Sequence, residues 1–111
     1  MKYSIVIPIK DEEENIPLLV REVEEVMGLL GEPWEMICID DGSQDASLDV
    51  LKELASQKAF LRLIVFEKNY GQTSGFDAGF KAAEGEYLIT LDADLQNDPS
   101  HGKLGVRTQS T

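Results

Sequence analysis

Short, nearly unbroken apolar runs alternate along this chain with longer stretches in which apolar residues recur every three or four positions. Tyr3 to Ile9 (YSIVIPI) is a run of the first kind, the pattern of a strand covered on both faces. Ile16, Leu19, Val20, Val23, Val26, Met27 and Leu30 then predict an amphipathic helix from roughly Glu13 to Leu30. Pro17 fits only its first turn, and Gly31 marks its end. Trp34 to Ile39 (WEMICI) reads as a second strand, followed by a turn at Asp40-Asp41-Gly42-Ser43. Leu48, Val50, Leu51 and Leu54 outline a second helix.

Phe60 to Phe66 (FLRLIVF) predicts a third strand, Thr73 to Ala83 a third helix, and Glu86 to Leu91 a fourth strand. This strand–helix alternation predicts an α/β fold: an open, mainly parallel sheet with right-handed crossovers and helices on both faces. Gly71, Gly75 and Gly79 repeat every four residues through the third helix. Each helical glycine costs about 1 kcal/mol relative to alanine, so close packing on the sheet is expected at Gly75 and Gly79. Gly71 fits either packing or a backbone approaching a ligand. Residues 100–111 lack acidic side chains and clear periodicity. They read as an atypical tail, disordered or foreign to a domain spanning 1–99.

Composition narrows the function. At 111 residues the chain fits one layered domain, short for an enzyme that must hold two substrates. Its formal charge of −11, from 21 acidic and 10 basic residues, argues against a nucleic-acid partner, which needs a basic face. A diphosphate ligand remains compatible if a cation screens the carboxylates. Cys38 is the single cysteine; between Ile37 and Ile39 it reads as a buried thiol. His101 is the single histidine, so no His-Cys zinc cluster can form within the chain. No apolar run reaches membrane-spanning length, and the start has no signal-peptide pattern, so the expected location is cytoplasmic.

Candidate chemistry lies at the predicted carboxyl ends of the strands, where open parallel sheets bind ligands. In Leu91-Asp92-Ala93-Asp94-Leu95-Gln96, an extended backbone would place Asp92 and Asp94 on one face, with Gln96 following. That all-oxygen set suits Mg²⁺ or Mn²⁺ better than zinc. In Asp40 to Asp45, Ser43 or Asp45 is expected to cap the second helix, leaving Asp41 free to accept a nucleobase N–H. The run Asp11 to Glu14 is expected to favour the first helical turn through the helix dipole. No Walker A sequence is present, and no G-x-G-x-x-G follows a strand.

The ordered segments VIPIKDEEENI (Val6 to Ile16), IDDGSQD (Ile39 to Asp45), NYGQTSGFDAGFKAAEGEY (Asn69 to Tyr87) and LDADLQNDP (Leu91 to Pro99) resemble family 2 glycosyltransferases of the GT-A fold. The nearest likeness is to the dolichol-phosphate mannose synthase and polyprenyl-phosphate glycosyltransferase branch. The resemblance implies that Pro8, Lys10 and Glu12 border the nucleotide and that Asp41 contacts the base. It also implies that Asp92, which adjoins the nucleotide, shares the metal with Asp94 and Gln96. Lys10 stands where an aromatic residue is frequent in the family, and Asp11 where asparagine is usual.

The implied reaction is inverting transfer of a sugar from a nucleotide-diphosphate sugar to a lipid-phosphate or glycan acceptor, a polyprenyl phosphate foremost. A lipid phosphate would need no strong general base, since phosphate monoesters have a second pKa of about 6. The family's acceptor-side motifs do not follow Pro99. The expectation is therefore a donor-binding half, inactive alone and prone to self-association, with membrane contact only through missing regions or the lipid substrate at the cytoplasmic face. A nucleotidyltransferase-like enzyme, a receiver-type signalling module and a nucleotide-binding fragment without catalysis are the competing readings.

Overall fold

A computed structural model of the chain describes residues 1–93 and the backbone of residues 107–110. Its elements run β1 (Tyr3–Ile9), α1 (Ile16–Leu30), β2 (Trp34–Asp41), α2 (Ser47–Gln57), β3 (Leu61–Phe66), α3 (Gln72–Ala82), β4 (Tyr87–Thr90) and β5 (Arg107–Ser110). The sheet order is β3-β2-β1-β4-β5, with β1 to β4 parallel and β5 antiparallel to β4. The predicted α/β class and mainly parallel sheet are what the chain forms.

Strand alternation separates two cores. Ile5, Ile7, Ile9, Met36 and Cys38 face α1 and α2, whose Ile16, Leu19, Val20, Val23, Met27 and Leu51 are buried against them. Val6, Ile37 and Ile39 face the opposite way and meet Phe76 and Phe80 of α3. The helices thus cover both faces, and their side is set by where the chain turns back. β1, β2 and β3 are laid down in one direction, and α3 then carries the chain across to β4 on the other side of β1. The reversal point lies between β1 and β4.

Glycine makes the α3 side possible. A Cβ on Gly79 would run into Val6 Cγ1 and stand 3.1 Å from Ile39 Cδ1, and one on Gly75 would stand 3.0 Å from Pro8 Cβ. Both are packing positions, as their spacing predicts. Gly71 differs: no described residue crowds it, but its φ of +98° is one that side chains resist, and it sits immediately before α3.

The boundaries depart from the sequence reading in three informative places. Helix α1 begins at Ile16 with Pro17 in its first turn, so Asp11 to Glu14 lie in the loop before it and no acidic residue occupies that turn. Strand β2 continues through Asp40 and Asp41, pairing them with Val65 and Phe66, so both aspartates are strand residues and are buried. Residues 107–110 form an edge strand where the sequence showed no element. Backbone hydrogen bonding to β4 needs no apolar pattern, and polar residues suit an edge.

Far from the β-strand carboxyl ends, Glu35 organises the other rim of the sheet. Although 2% exposed, it accepts hydrogen bonds from Ser4 Oγ (2.6 Å), Glu84 N–H (2.7 Å) and Arg62 Nη1 (2.7 Å). Burial opposes its ionisation, but these three donors outweigh burial and hold its carboxyl below the ordinary glutamate range.

Candidate functional site

Proline shapes the cleft at the reversal point. Val6 O accepts the Leu91 N–H at 3.2 Å, the last β1–β4 tie, while β1 and β2 remain paired as far as Ile9 and Asp40. Two residues beyond Val6, the same edge of β1 carries Pro8, which has no N–H to extend the ladder. The strands part there. The resulting cleft is lined by Pro8, Ile9, Lys10, Glu12, Asp41, Gln72, Asp92 and Ala93. Pro8, Lys10, Glu12, Asp41 and Asp92, scattered between positions 8 and 92 of the sequence, therefore meet in one place.

Two loops brace the cleft by reciprocal hydrogen bonds. Asp11 adopts φ 52°, a left-handed conformation that aspartate tolerates better than most residues. Its Oδ1 accepts Gln44 N–H (2.7 Å) and Asp45 N–H (3.2 Å), while its own N–H donates to Ser43 Oγ (3.0 Å). Glu12 N–H donates to the buried Ser47 Oγ at 2.8 Å. The acidic run is thus structural in part, but through this latch rather than through a helix dipole. The N-cap of α2 is Ala46, with no side-chain cap, so neither Ser43 nor Asp45 takes the expected capping position; Asp45, one residue earlier, accepts Ser47 N–H on Oδ1 at 2.8 Å. Burial raises the Asp45 pKa, but hydrogen bonds from the Ser47 hydroxyl and from Ser47 and Glu13 N–H groups override it, leaving the carboxyl below its usual range.

Asp41 is not free, as the sequence reading had it. Its Oδ1 accepts Tyr70 N–H at 2.7 Å, and its Oδ2 accepts Gly71 N–H at 3.0 Å and Asn69 Nδ2 at 3.3 Å. The carboxylate holds the loop that leads into α3 while still lining the cleft. Its neighbour Asp40 faces the other core, 2% exposed, and its Oδ1 has no hydrogen-bond partner among the described residues. Lys10 is an exposed cation among the cleft carboxylates and makes no ion pair among the described residues. Cys38 lies wholly within the core, where burial pushes its thiol up to about 12, so it is no nucleophile.

Asp94 and Gln96, two of the three expected metal ligands, lie outside the described residues, as does His101. Among the described residues no three of His, Cys, Asp and Glu stand together as a metal site. Asp92 supplies a hard oxygen donor of the kind Mg²⁺ and Mn²⁺ take, but one carboxylate cannot hold such an ion by itself. Ile9, Gln72 and Ala93 are the cleft residues that sequence reasoning missed, and Gln72 is the polar one. Its signal was its place directly after Gly71, in a segment that by itself reads as a loop.

The sequence profile described as glycosyl transferase family 2 matches residues 4–106. The chain belongs to that family. Among curated relatives of this family-2 chain, undecaprenyl-phosphate 4-deoxy-4-formamido-L-arabinose transferase of Pectobacterium carotovorum is 45% identical over 97 residues, covering 86% of this chain and 30% of the relative. The Yersinia enterocolitica protein of the same name is 42% identical over 99 residues, covering 88% of this chain and 30% of the relative. The chain thus spans about 30% of the length of these relatives.

Solved structures agree on the fold. Residues 1–349 of Staphylococcus aureus TarS, in complex with UDP-GlcNAc, superpose with a TM-score of 0.72 at 26% identity, covering 85% of this chain and 27% of that one. The mannosyltransferase PcManGT of Pyrobaculum calidifontis, in complex with GDP-Man and Mn²⁺, gives a TM-score of 0.68 at 19% identity, covering 84% of this chain and 27% of that one. The family-2 chain therefore has the GT-A, Rossmann-like sheet that its motifs imply.

Proposed function

We propose that this chain is the donor-binding part of an inverting glycosyltransferase that moves a sugar from a nucleotide-diphosphate sugar to a polyprenyl phosphate. The observation that carries this reading is the meeting of Pro8, Lys10, Glu12, Asp41 and Asp92 in one cleft at the strand-order reversal. The names of the curated relatives, which are undecaprenyl-phosphate sugar transferases, support the acceptor class. Complexes of the structural relatives with UDP-GlcNAc and with GDP-Man support the donor class.

Each residue has a task in this reading. Asp41 anchors the base at the end of β2, next to the α3 loop it already holds. Pro8 keeps β1 and β4 apart so that the nucleotide can enter. Lys10 offsets part of the negative charge that a diphosphate would meet beside Glu12 and Asp92. Asp92, Asp94 and Gln96 would hold a divalent cation whose chemistry, when bound, is to neutralise the leaving diphosphate. A lipid-phosphate oxygen is ionised near neutral pH, so no residue of this chain is required as a strong base. With such an acceptor the reaction belongs at a membrane surface, on the cytoplasmic face; no helix among the described residues is long and apolar enough to cross a membrane.

Titration calorimetry tests the donor site. UDP or GDP should bind the chain in Mg²⁺ or Mn²⁺ and lose most affinity in chelator, and Asp94→Ala should abolish the metal dependence without unfolding the protein. Equal affinity with and without metal would remove the cation from this proposal.

A further inference from the structure

The engagement of Asp41 leaves a defined gap in how a base could be read. A carboxylate has about four acceptor positions, and Tyr70, Gly71 and Asn69 donate to Asp41. The position left, on Oδ1, suffices for a single ring N–H. Bases that offer such an N–H, uracil and guanine, carry a carbonyl oxygen beside it, and that oxygen needs a donor. Pro8, Ile9 and Ala93 have no polar side-chain atoms, and the carboxylates of Glu12, Asp41 and Asp92 offer acceptor oxygens. Lys10 and Gln72 are the donor side chains of the cleft.

The two donors differ in kind and place. The ammonium of Lys10 complements an anion, whereas the neutral amide of Gln72 complements a carbonyl without attracting a second phosphate. Gln72 is also tied to Asp41: it follows Gly71, whose N–H bonds Asp41 Oδ2 at 3.0 Å. One turn on, Gly75 sits close against Pro8, so the first turn of α3 is set down tightly beside the cleft.

Resting on the donor-site reading above, we propose that Gln72 is a specificity-determining residue, its side-chain amide donating to the base carbonyl that flanks the ring N–H accepted by Asp41. The pair selects uracil or guanine. Adenine and cytosine present an unprotonated ring nitrogen at the equivalent edge, which a carboxylate repels.

The experiment is calorimetry of the whole chain and of the Gln72→Glu and Gln72→Ala variants with UDP, GDP, CDP and ADP in Mn²⁺. The native chain should prefer UDP or GDP. Gln72→Glu should weaken the preferred nucleotide by about tenfold or more, the scale of one lost hydrogen bond with an added repulsion, and leave ADP within about twofold. Gln72→Ala should act in the same direction by a smaller factor. A carboxylate in the first turn of a helix is favourable, so Gln72→Glu should keep its fold, which a thermal melt checks. Unchanged affinity and ranking in Gln72→Glu would overturn this inference alone. A native chain that binds none of the four nucleotides would overturn the donor-site reading together with it.

Discussion

At the scale of single residues, buried carboxylates organise both rims of the sheet. Asp41 accepts from two backbone N–H groups and one side-chain amide. Asp41→Asn would turn an amide N–H towards one of those donors, leaving a buried donor unmatched. The expected result is a loss of about 1–3 kcal/mol in stability, with nucleotide affinity lowered and base ranking altered; denaturant melts and calorimetry read both. If the ranking stays as it was, Asp41 only holds the loop. Glu35 makes a pH-dependent contribution whose sign follows from its depressed folded-state pKa. Its stabilisation is complete above the unfolded glutamate pKa of about 4.3 and fades as pH falls through the lower folded value. Urea melts from pH 6 down to 3 should show this acid-side loss, and Glu35→Gln should flatten it. An equal slope in the variant would assign acid sensitivity to other carboxylates.

At the scale of elements, the glycines of α1 and α3 do opposite things. Gly28, inside α1, has no described residue within 4 Å of where a Cβ would stand, whereas Gly79 in α3 has Val6 and Ile39 in the way. Gly28→Ala should therefore raise stability by about 0.5–1 kcal/mol through helix propensity. Gly79→Ala should lower it by about 1–3 kcal/mol, because overpacking against β1 and β2 outweighs the same propensity gain. Thermal melts of the two variants should shift in opposite directions. The spacing of Phe76 and Phe80 predicted a shared face, and their rings lie 6.0 Å apart against the second core. Element ends were less legible. The start of α1 moved from Glu13 to Ile16 because Asp11 is drawn to the β2–α2 loop, a partner more than 30 residues away that no local pattern reveals.

Across the whole molecule, the covering of the sheet is uneven. Beside β4, an apolar groove is lined by Ile5, Val23, Val26, Met27, Leu30, Ile89 and Leu91, and Val26 and Leu30 are about half exposed. Exposed apolar surface of this kind favours association, so the chain is expected to self-associate in solution through this face. Val26→Glu should shift it towards monomer in light scattering or sedimentation; a native chain that is already a monodisperse monomer would refute this. The sequence by itself determined the element order from β1 to β4, the parallel part of the sheet, the buried state of Cys38 and the glycine packing of α3. These follow from local periodicity and from steric limits that each residue carries with it. The resemblance of its motifs named Pro8, Lys10, Glu12, Asp41 and Asp92, and the ends of parallel strands gather on one edge whatever their separation along the chain. Only the tertiary structure decided that Asp41 is already engaged, that Asp11 latches two loops, that Gln72 joins the cleft and that Arg107–Ser110 makes an edge strand. Each depends on a hydrogen bond, a register or a juxtaposition between distant segments, and such pairings leave no period in the sequence.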